Sequence, residues 1–95
     1  MNEEQISRMA GLFKAISHPV RLKILCLLQD QELSVGTLLA EMECSGANVS
    51  QHLNIMRRQG IIGSRKEANV VYNRIVDEGV VEMMAALERI FCTEK

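Results

Sequence analysis

Residues 45–60 read SGANVSQHLNIMRRQG and are followed directly by IIGSRKEANVVYNRI at 61–75. In the first stretch Val49, Leu53 and Met56 recur at i, i+4 and i+7. This spacing places apolar side chains on one face of a helix. The pattern predicts an amphipathic helix that packs through one face and leaves its polar face free for a partner.

The polar face of this helix carries amide and guanidinium groups. Asn48, Gln51 and Asn54 fall away from the apolar residues, and Arg57 and Arg58 stand at the end of the helix. Side chains of these types can pair with base edges in the major groove of DNA. The two arginines are also candidates for phosphate contacts, and a solvated helix end is the alternative interpretation for them.

Two short β-type runs follow the helix, at about 61–66 and 70–75, separated by Lys66–Asn69. Basic side chains lie on both runs, among them Arg65 and Arg74. A recognition helix that contacts bases, followed by a basic hairpin that contacts phosphate, is typical of a winged helix-turn-helix.

Charge is distributed unevenly along the 95 residues. Residues 46–74 contain five basic side chains and one acidic side chain, a local charge of +4 in a chain whose net charge is −1. The remainder therefore carries −5. An acidic body with a basic face is an electrostatic footprint for a polyanion such as DNA.

The rest of the chain predicts four further helices in a single domain spanning residues 1–95. The first runs from about Glu3 to Ala15, and the second, VRLKILCLLQ, is apolar almost all round and is expected to be buried. Ser34 and Asp77 are the expected N-caps of the third and last helices. The predicted fold is mainly α with a small β-hairpin between the fourth and fifth helices.

The last helix is predicted to reach about Cys92 and to take part in assembly. Val80, Met84, Leu87 and Phe91 form one apolar row along it. This stripe is wider than a small core requires, and a short chain leaves much apolar surface uncovered. We therefore expect homodimerisation through the terminal helices.

Several strings resemble the ArsR/SmtB family of dimeric bacterial repressors. They are ELSVGTLL, SQHLNIMRRQGII, the RKEANVVY hairpin and the segment from Ser17 to Leu22, SHPVRL. The resemblance implies a homodimer on an inverted-repeat operator in double-stranded DNA. The two recognition helices would then lie about one helical turn, ~34 Å, apart.

The known metal sites of this family are not matched. The thiolate pair of the arsenic and cadmium type is replaced by Ser34 and Gly36, and the last helix has no histidine for the zinc type. Soft metals require Cys or His ligands. The sequence predicts neither a metal nor a cofactor.

Two cysteines resemble those of the sulfide- and redox-responsive branch of the family. Cys26 lies in KILCLL of the second helix, and Cys92 follows Ile90-Phe91. The resemblance implies that these thiols approach each other and react with persulfide or oxidant to form a disulfide or polysulfide bridge. The alternative is that both are apolar core residues, as free cysteines often are. Cys44 is interpreted as a packed turn residue and His52 as a structural hydrogen-bonding residue.

The sequence thus predicts a repressor with two sensor thiols, Cys26 and Cys92, and a set of DNA-binding residues. The DNA-binding candidates are Asn48, Ser50, Gln51, Asn54, Arg57, Arg58, Arg65, Lys66 and Asn69.

Two alternatives to this function remain at the level of sequence. One is a metal-responsive repressor with a non-standard thiolate site, and the other is a winged-helix module that binds protein. No nucleophile–base pair or phosphate-binding glycine loop indicates an enzyme. The polar N-terminus and the lack of an apolar run of about 18 residues predict a cytoplasmic protein without a membrane partner.

Overall fold

A computed structural model describes residues 1–92 of the chain. The described elements, in chain order, are α1 (Glu3–Ile16), α2 (Pro19–Leu27), β1 (Leu33–Ser34), α3 (Val35–Glu41), α4 (Gly46–Arg58), β2 (Ile62–Glu67), β3 (Val70–Ile75) and α5 (Glu78–Phe91). This is the winged helix-turn-helix arrangement that the sequence predicts.

Each helix begins at a side chain that accepts a hydrogen bond from its first turn. The N-caps are Asn2, His18, Ser34, Ser45 and Asp77. Such caps satisfy backbone N–H groups that have no partner inside the helix. The predicted caps Ser34 and Asp77 are confirmed.

The sheet has one strand more than the sequence predicts. Its order is β1-β3-β2, with both pairs antiparallel. Leu33 and Ser34, which lead directly into α3, pair with Asn73 and Tyr72. Two residues are too few to show the alternation by which a strand is recognised.

The hairpin turn is also tighter than predicted. Lys66 and Glu67 belong to β2, so that only Ala68 and Asn69 connect the strands. Both turn residues have positive φ, 52° and 67°. This is the conformation of a type I′ turn, whose twist matches that of the paired strands.

The core lies where α2, α3, α4 and α5 meet the sheet. Its fully buried side chains include Ile24, Leu25, Leu38, Met56 and Val80. They are joined by further apolar residues from these elements and from the residues that adjoin them, namely Leu28, Val49, Leu53, Ile61, Ile62 and Met84.

Helix α2 is not buried all round, contrary to the prediction. Ile24 and Leu25 are buried, whereas Leu22 and Cys26 are exposed. Apolar composition alone does not reveal which face of a helix meets the core. Within residues 1–92, no helix has the length and apolar character needed to cross a membrane.

Candidate DNA-binding surface and thiol pair

Helix α4 presents a polar face to solvent. Val49, Leu53 and Met56 are buried, as their spacing predicts. On the opposite side, Ser50, Gln51, Asn54 and Arg58 are exposed, and Asn48 is half-buried. The exposed groups can contact bases or phosphates without rearrangement of the helix.

Arg57 is the exception among the candidate DNA contacts on α4. Its side chain is half-buried, and its guanidinium donates through Nη1 to Asn54 Oδ1 at 2.5 Å and through Nη2 to Asn73 Oδ1 at 3.1 Å. Arg57 therefore connects the helix to β3, and it is not a free cation like Arg58.

The candidates on the hairpin also differ from one another. Lys66 and Asn69 are exposed, whereas both terminal nitrogens of the Arg65 guanidinium are ion-paired. Arg65 donates through Nε and Nη2 to the two carboxylate oxygens of Glu32, each at 2.8 Å, and through Nη1 to Glu67. The hydrogen bond from Arg65 holds the pKa of Glu32 below its usual value.

Arg65 also lies over the ring of Tyr72, with its guanidinium carbon 4.8 Å from the ring centroid. A cation placed over an aromatic face is attracted by the ring quadrupole. These contacts neutralise part of the positive charge of the hairpin. Within residues 1–92, Lys66 and Arg58 form no ion pair.

A buried histidine attaches α4 to α2. His52 is only 8% exposed, and its Nδ1 accepts a hydrogen bond from Arg21 Nε at 3.2 Å. Arg21 Nη1 in turn donates to the Ala15 carbonyl at 2.7 Å, and the ring of His18 lies 4.4 Å from that of His52. The structural role predicted for His52 is confirmed.

The environment of His52 disfavours its charged form. Burial lowers its pKa, and the neighbouring His18 and Arg21 add to this effect. A neutral His52 keeps a lone pair on Nδ1 for Arg21. The recognition helix is therefore positioned by a hydrogen bond that depends on histidine staying neutral.

Cys26 and Cys92 are free thiols that are both exposed. The interpretation of both as buried core residues is therefore wrong for the isolated protomer. Cys26 lies on α2, and Cys92 is the C-cap of α5. Gln29, two residues after the end of α2, donates through Nε2 at 3.0 Å to Oε1 of Glu88, which lies four residues before Cys92.

Partial burial is the main cause that raises the pKa of the Cys26 thiol above its usual value. Negative charge on Cys92 and on Glu88 raises it further. A thiol with a raised pKa is less ionised at neutral pH, and the thiolate is the nucleophile.

Cys44 is half-buried and packs against the core, as the sequence predicts for a turn residue. In the part of the chain that the structure describes, no group of three or more His, Cys, Asp or Glu side chains is arranged to hold a metal ion.

Three residues with prominent polar contacts were not singled out from the sequence: Arg21, Glu32 and Asn73. Asn73 left the clearest sequence signal, because it alternates with Val71 and Ile75 on one face of β3 and is polar in an otherwise apolar row. Arg21 and Glu32 bind partners 31 and 33 residues away, a separation that periodicity does not report.

This architecture is that of a winged helix-turn-helix regulator, and the chain belongs to the ArsR family. Residues 18–64 match the model of the bacterial regulatory proteins of that family. Proteins of this kind bind DNA and regulate transcription.

The chain is similar to several characterised relatives. It is 40% identical over 90 residues to the transcriptional activator HlyU of Vibrio cholerae, covering 95% of this chain and 83% of HlyU. It is 33% identical over 93 residues to the biofilm growth-associated repressor of Xylella fastidiosa, covering 98% and 82%. A solved structure of reduced HlyU from Vibrio cholerae N16961 superimposes with a TM-score of 0.92 at 40% identity, covering 96% of each chain.

Proposed function

We propose that this chain is a homodimeric repressor that leaves its operator when Cys26 and Cys92 become linked by persulfide or by an oxidant. The observation that carries the proposal is the placement of two free, exposed thiols on α2 and at the end of α5, close enough for charge on one to raise the pKa of the other. Because thiols react with sulfane sulfur and with peroxide, such a pair can detect persulfide or an oxidant.

The DNA-binding half of the proposal rests on the exposed polar face of α4 and on the basic residues near it. Ser50, Gln51 and Asn54 are accessible for base or phosphate contacts, and Arg58 and Lys66 are cations without an ion pair in residues 1–92. Phosphate neutralisation by such cations makes affinity fall steeply with salt. A module that binds protein would have no affinity for duplex DNA that falls steeply with salt.

The dimer is supported by apolar side chains that one chain leaves uncovered. Ile6 and Phe13 on α1 are 46% and 53% exposed, and Ile90 and Phe91 on α5 are 66% and 78% exposed. Apolar surface of this extent favours association. Two copies joined through these helices would present two recognition helices to an inverted repeat.

We assign the first step of the thiol chemistry to Cys92, because the raised pKa lowers the thiolate fraction of Cys26 at neutral pH. The Cys92 thiolate attacks the outer sulfur of an organic persulfide, the S–S bond breaks, and an organic thiolate leaves. The Cys26 thiolate then attacks Sγ of the resulting Cys92 persulfide, so that the Cys26–Cys92 disulfide forms, the bond from Sγ to the outer sulfur breaks, and hydrosulfide leaves. The two cysteines lose two electrons, and the sulfane sulfur is reduced to sulfide.

Other products of the same pair follow from the same balance. A second equivalent of persulfide inserts one sulfur atom and gives a trisulfide, with release of a second organic thiol. Peroxide gives the plain disulfide, and its oxygen leaves as water. A bridge that contains extra sulfur thus indicates persulfide, whereas a plain disulfide can arise from either reagent.

The path from the thiols to the recognition helix is short. Cys26 lies on the same helix as Arg21, and Arg21 donates to His52 of α4. A bridge that ties α2 to α5 biases this contact and the dimer interface together. Coupling of about 1–3 kcal/mol is sufficient to change DNA affinity from several-fold to about a hundredfold.

The similar proteins are consistent with this proposal. One of the similar structures is described as reduced HlyU, and one relative is named a repressor. Another is named an activator, so the direction of regulation is part of the proposal.

The test uses a duplex selected by the reduced protein from a randomised double-stranded DNA library. Affinity is measured by fluorescence anisotropy before and after treatment with glutathione persulfide, for the native chain and for Cys26→Ser, Cys92→Ser and Cys44→Ser. We expect the native chain and Cys44→Ser to lose affinity. The other two variants are expected to bind in the reduced state and not to respond. A response that survives in both Cys26→Ser and Cys92→Ser would overturn the proposed sensor.

A further inference from the structure

Asn73 is a polar side chain in the middle of an apolar strand face. It is fully buried on β3, between Leu33 of β1 and Ser64 of β2 in the sheet register. Its Oδ1 accepts the hydrogen bond from Arg57 Nη2 at 3.1 Å. Burial of an amide is costly unless it is hydrogen-bonded, so this contact holds the sheet and the end of α4 together.

The contact does not end at Arg57. The same guanidinium donates through Nη1 to Oδ1 of Asn54, one turn earlier on the exposed face of α4. Asn73, Arg57 and Asn54 thus form a relay, defined here as these three side chains, from the buried sheet to the surface of the recognition helix.

Not every polar atom of the relay is satisfied. Arg57 Nε and Asn73 Nδ2 are buried and have no hydrogen-bond partner within the described residues. An apolar residue at position 73 would avoid this cost. Incompletely satisfied buried polar groups occur at positions where function opposes stability.

The relay determines which part of the Asn54 amide is free. Its Oδ1 is engaged by Arg57, which leaves the two N–H donors of Nδ2 for a partner. Bidentate reading of adenine needs both the amide oxygen and the amide N–H of the asparagine, so the oxygen would have to serve Arg57 and adenine at once. The free donors suit base edges that offer acceptors without a neighbouring donor on the same base, which are N7 and O6 of guanine and O4 of thymine; on adenine the N6 amino donor lies beside N7.

We propose that Asn73 and Arg57 are positioning residues for DNA reading: they fix α4 against the hairpin and hold Asn54 as a hydrogen-bond donor to guanine or thymine. This inference rests on the proposed binding of α4 in the major groove. It replaces direct phosphate contact, the role that the sequence predicts for Arg57, with a role exerted through Asn54.

The test compares base preference among variants of the reduced protein. The probes are the duplex selected by the native chain and a set of duplexes that carry each base substitution in turn. Asn73→Leu keeps the number of heavy atoms and the branching at Cγ but removes the acceptor for Arg57, without changing net charge. Asn73→Asp preserves the acceptor. Arg58→Gln is the matched control for an exposed arginine.

We expect Asn73→Leu to lose discrimination by roughly tenfold at one base position per half-site, with an unchanged dependence of affinity on salt. Asn73→Asp should keep the native preference. Arg58→Gln should weaken binding to all duplexes alike and reduce the salt slope by about 1. A role confined to stability would lower the melting temperature of Asn73→Leu without altering base preference.

A second variant serves if Asn73→Leu does not fold. Asn54→Asp is exposed, keeps an acceptor for Arg57 and removes both donors, so its preference should move away from guanine and thymine and toward cytosine, which offers an N4 donor. The native preference in either Asn54→Asp or a folded Asn73→Leu would overturn the relay and leave DNA binding standing. Failure of the native chain to bind any duplex in a salt-dependent manner would overturn both proposals.

Discussion

On the surface formed by α4 and the β2–β3 hairpin, arginine side chains are held by partners from other elements. Arg57 donates to Asn73, and Arg65 is paired with Glu32. On the surface formed by α1 and α5, by contrast, Phe13 and Phe91 are more than half exposed. The difference teaches that the polar surface is organised by contacts within one chain, whereas the helical surface leaves apolar side chains uncovered, which we propose a second copy covers.

The largest effect is expected at the helical surface. Phe91→Ala should raise the dissociation constant of the dimer by at least about a hundredfold, because two symmetry-related phenyl groups lose burial worth about 1.5–3 kcal/mol each. Sedimentation equilibrium measures this constant. Val70→Ala, at an apolar residue of the hairpin that is 38% exposed, is the control and should dimerise normally. If the native chain sediments as a monomer, the surface formed by α1 and α5 is not covered by a second copy.

A smaller effect is expected where Glu32 occupies Arg65. Glu32→Gln should remove the ion pair at Nε and Nη2 of Arg65 while the pair with Glu67 remains, raise DNA affinity several-fold and steepen the salt slope by up to about 1, because this side of the guanidinium becomes available to phosphate. Anisotropy titrations over a range of salt concentrations test this. Glu82→Gln, an exposed change of the same charge on α5, is the control. If both variants behave alike, the effect is one of net charge and the Glu32–Arg65 pair does not restrain binding.

How much of this could be predicted depends on how far apart the interacting residues lie. The helices, their caps and the hairpin follow from local spacing, as in Val49, Leu53 and Met56. The exposed polar face of α4 follows from the same periodicity. Contacts between distant residues do not, which is why the partners of Arg57 and Arg65 were missed. From the sequence, Arg57 and Arg65 are predicted to contact DNA as Arg58 is. Only their contacts with Asn73 and Glu32 distinguish them from Arg58.

The hydrogen bond between His52 and Arg21 predicts a pH dependence of stability. Because the pKa of His52 is lowered in the folded state, the unfolded chain binds its proton first as pH falls. The contribution of neutral His52 to stability should be fully present above the ordinary histidine pKa of about 6.5. It should be lost as pH falls below that value and through the lowered pKa of His52 in the folded chain. Chemical denaturation at several pH values measures this decline.

The control for this pH dependence is His52→Asn, which offers an oxygen acceptor to Arg21 and does not titrate. Its stability should change less between neutral pH and the mildly acidic range. If the free energy of unfolding declines equally in the native chain and in His52→Asn, the group whose protonation lowers stability is not His52.

The smallest effect is expected at the tip of the hairpin. Ala68 has φ of 52°, a conformation that glycine adopts without steric cost. Ala68→Gly should raise the free energy of unfolding by about 0.5–1 kcal/mol, since the relief of strain exceeds the added freedom of the unfolded chain. Thermal denaturation checks the sign. Gly36→Ala is the control for the opposite exchange, of glycine for alanine. Gly36 lies on α3, has no positive φ, and has room for a Cβ.

The central claim is that Cys26 and Cys92 of one chain become linked, and the most direct measurement is peptide mapping by mass spectrometry. The reduced protein is treated separately with glutathione persulfide and with hydrogen peroxide, and every cysteine adduct is located. The account predicts a Cys26–Cys92 link, with extra sulfur only after persulfide, and an unmodified Cys44. No link between Cys26 and Cys92 under either reagent would contradict it.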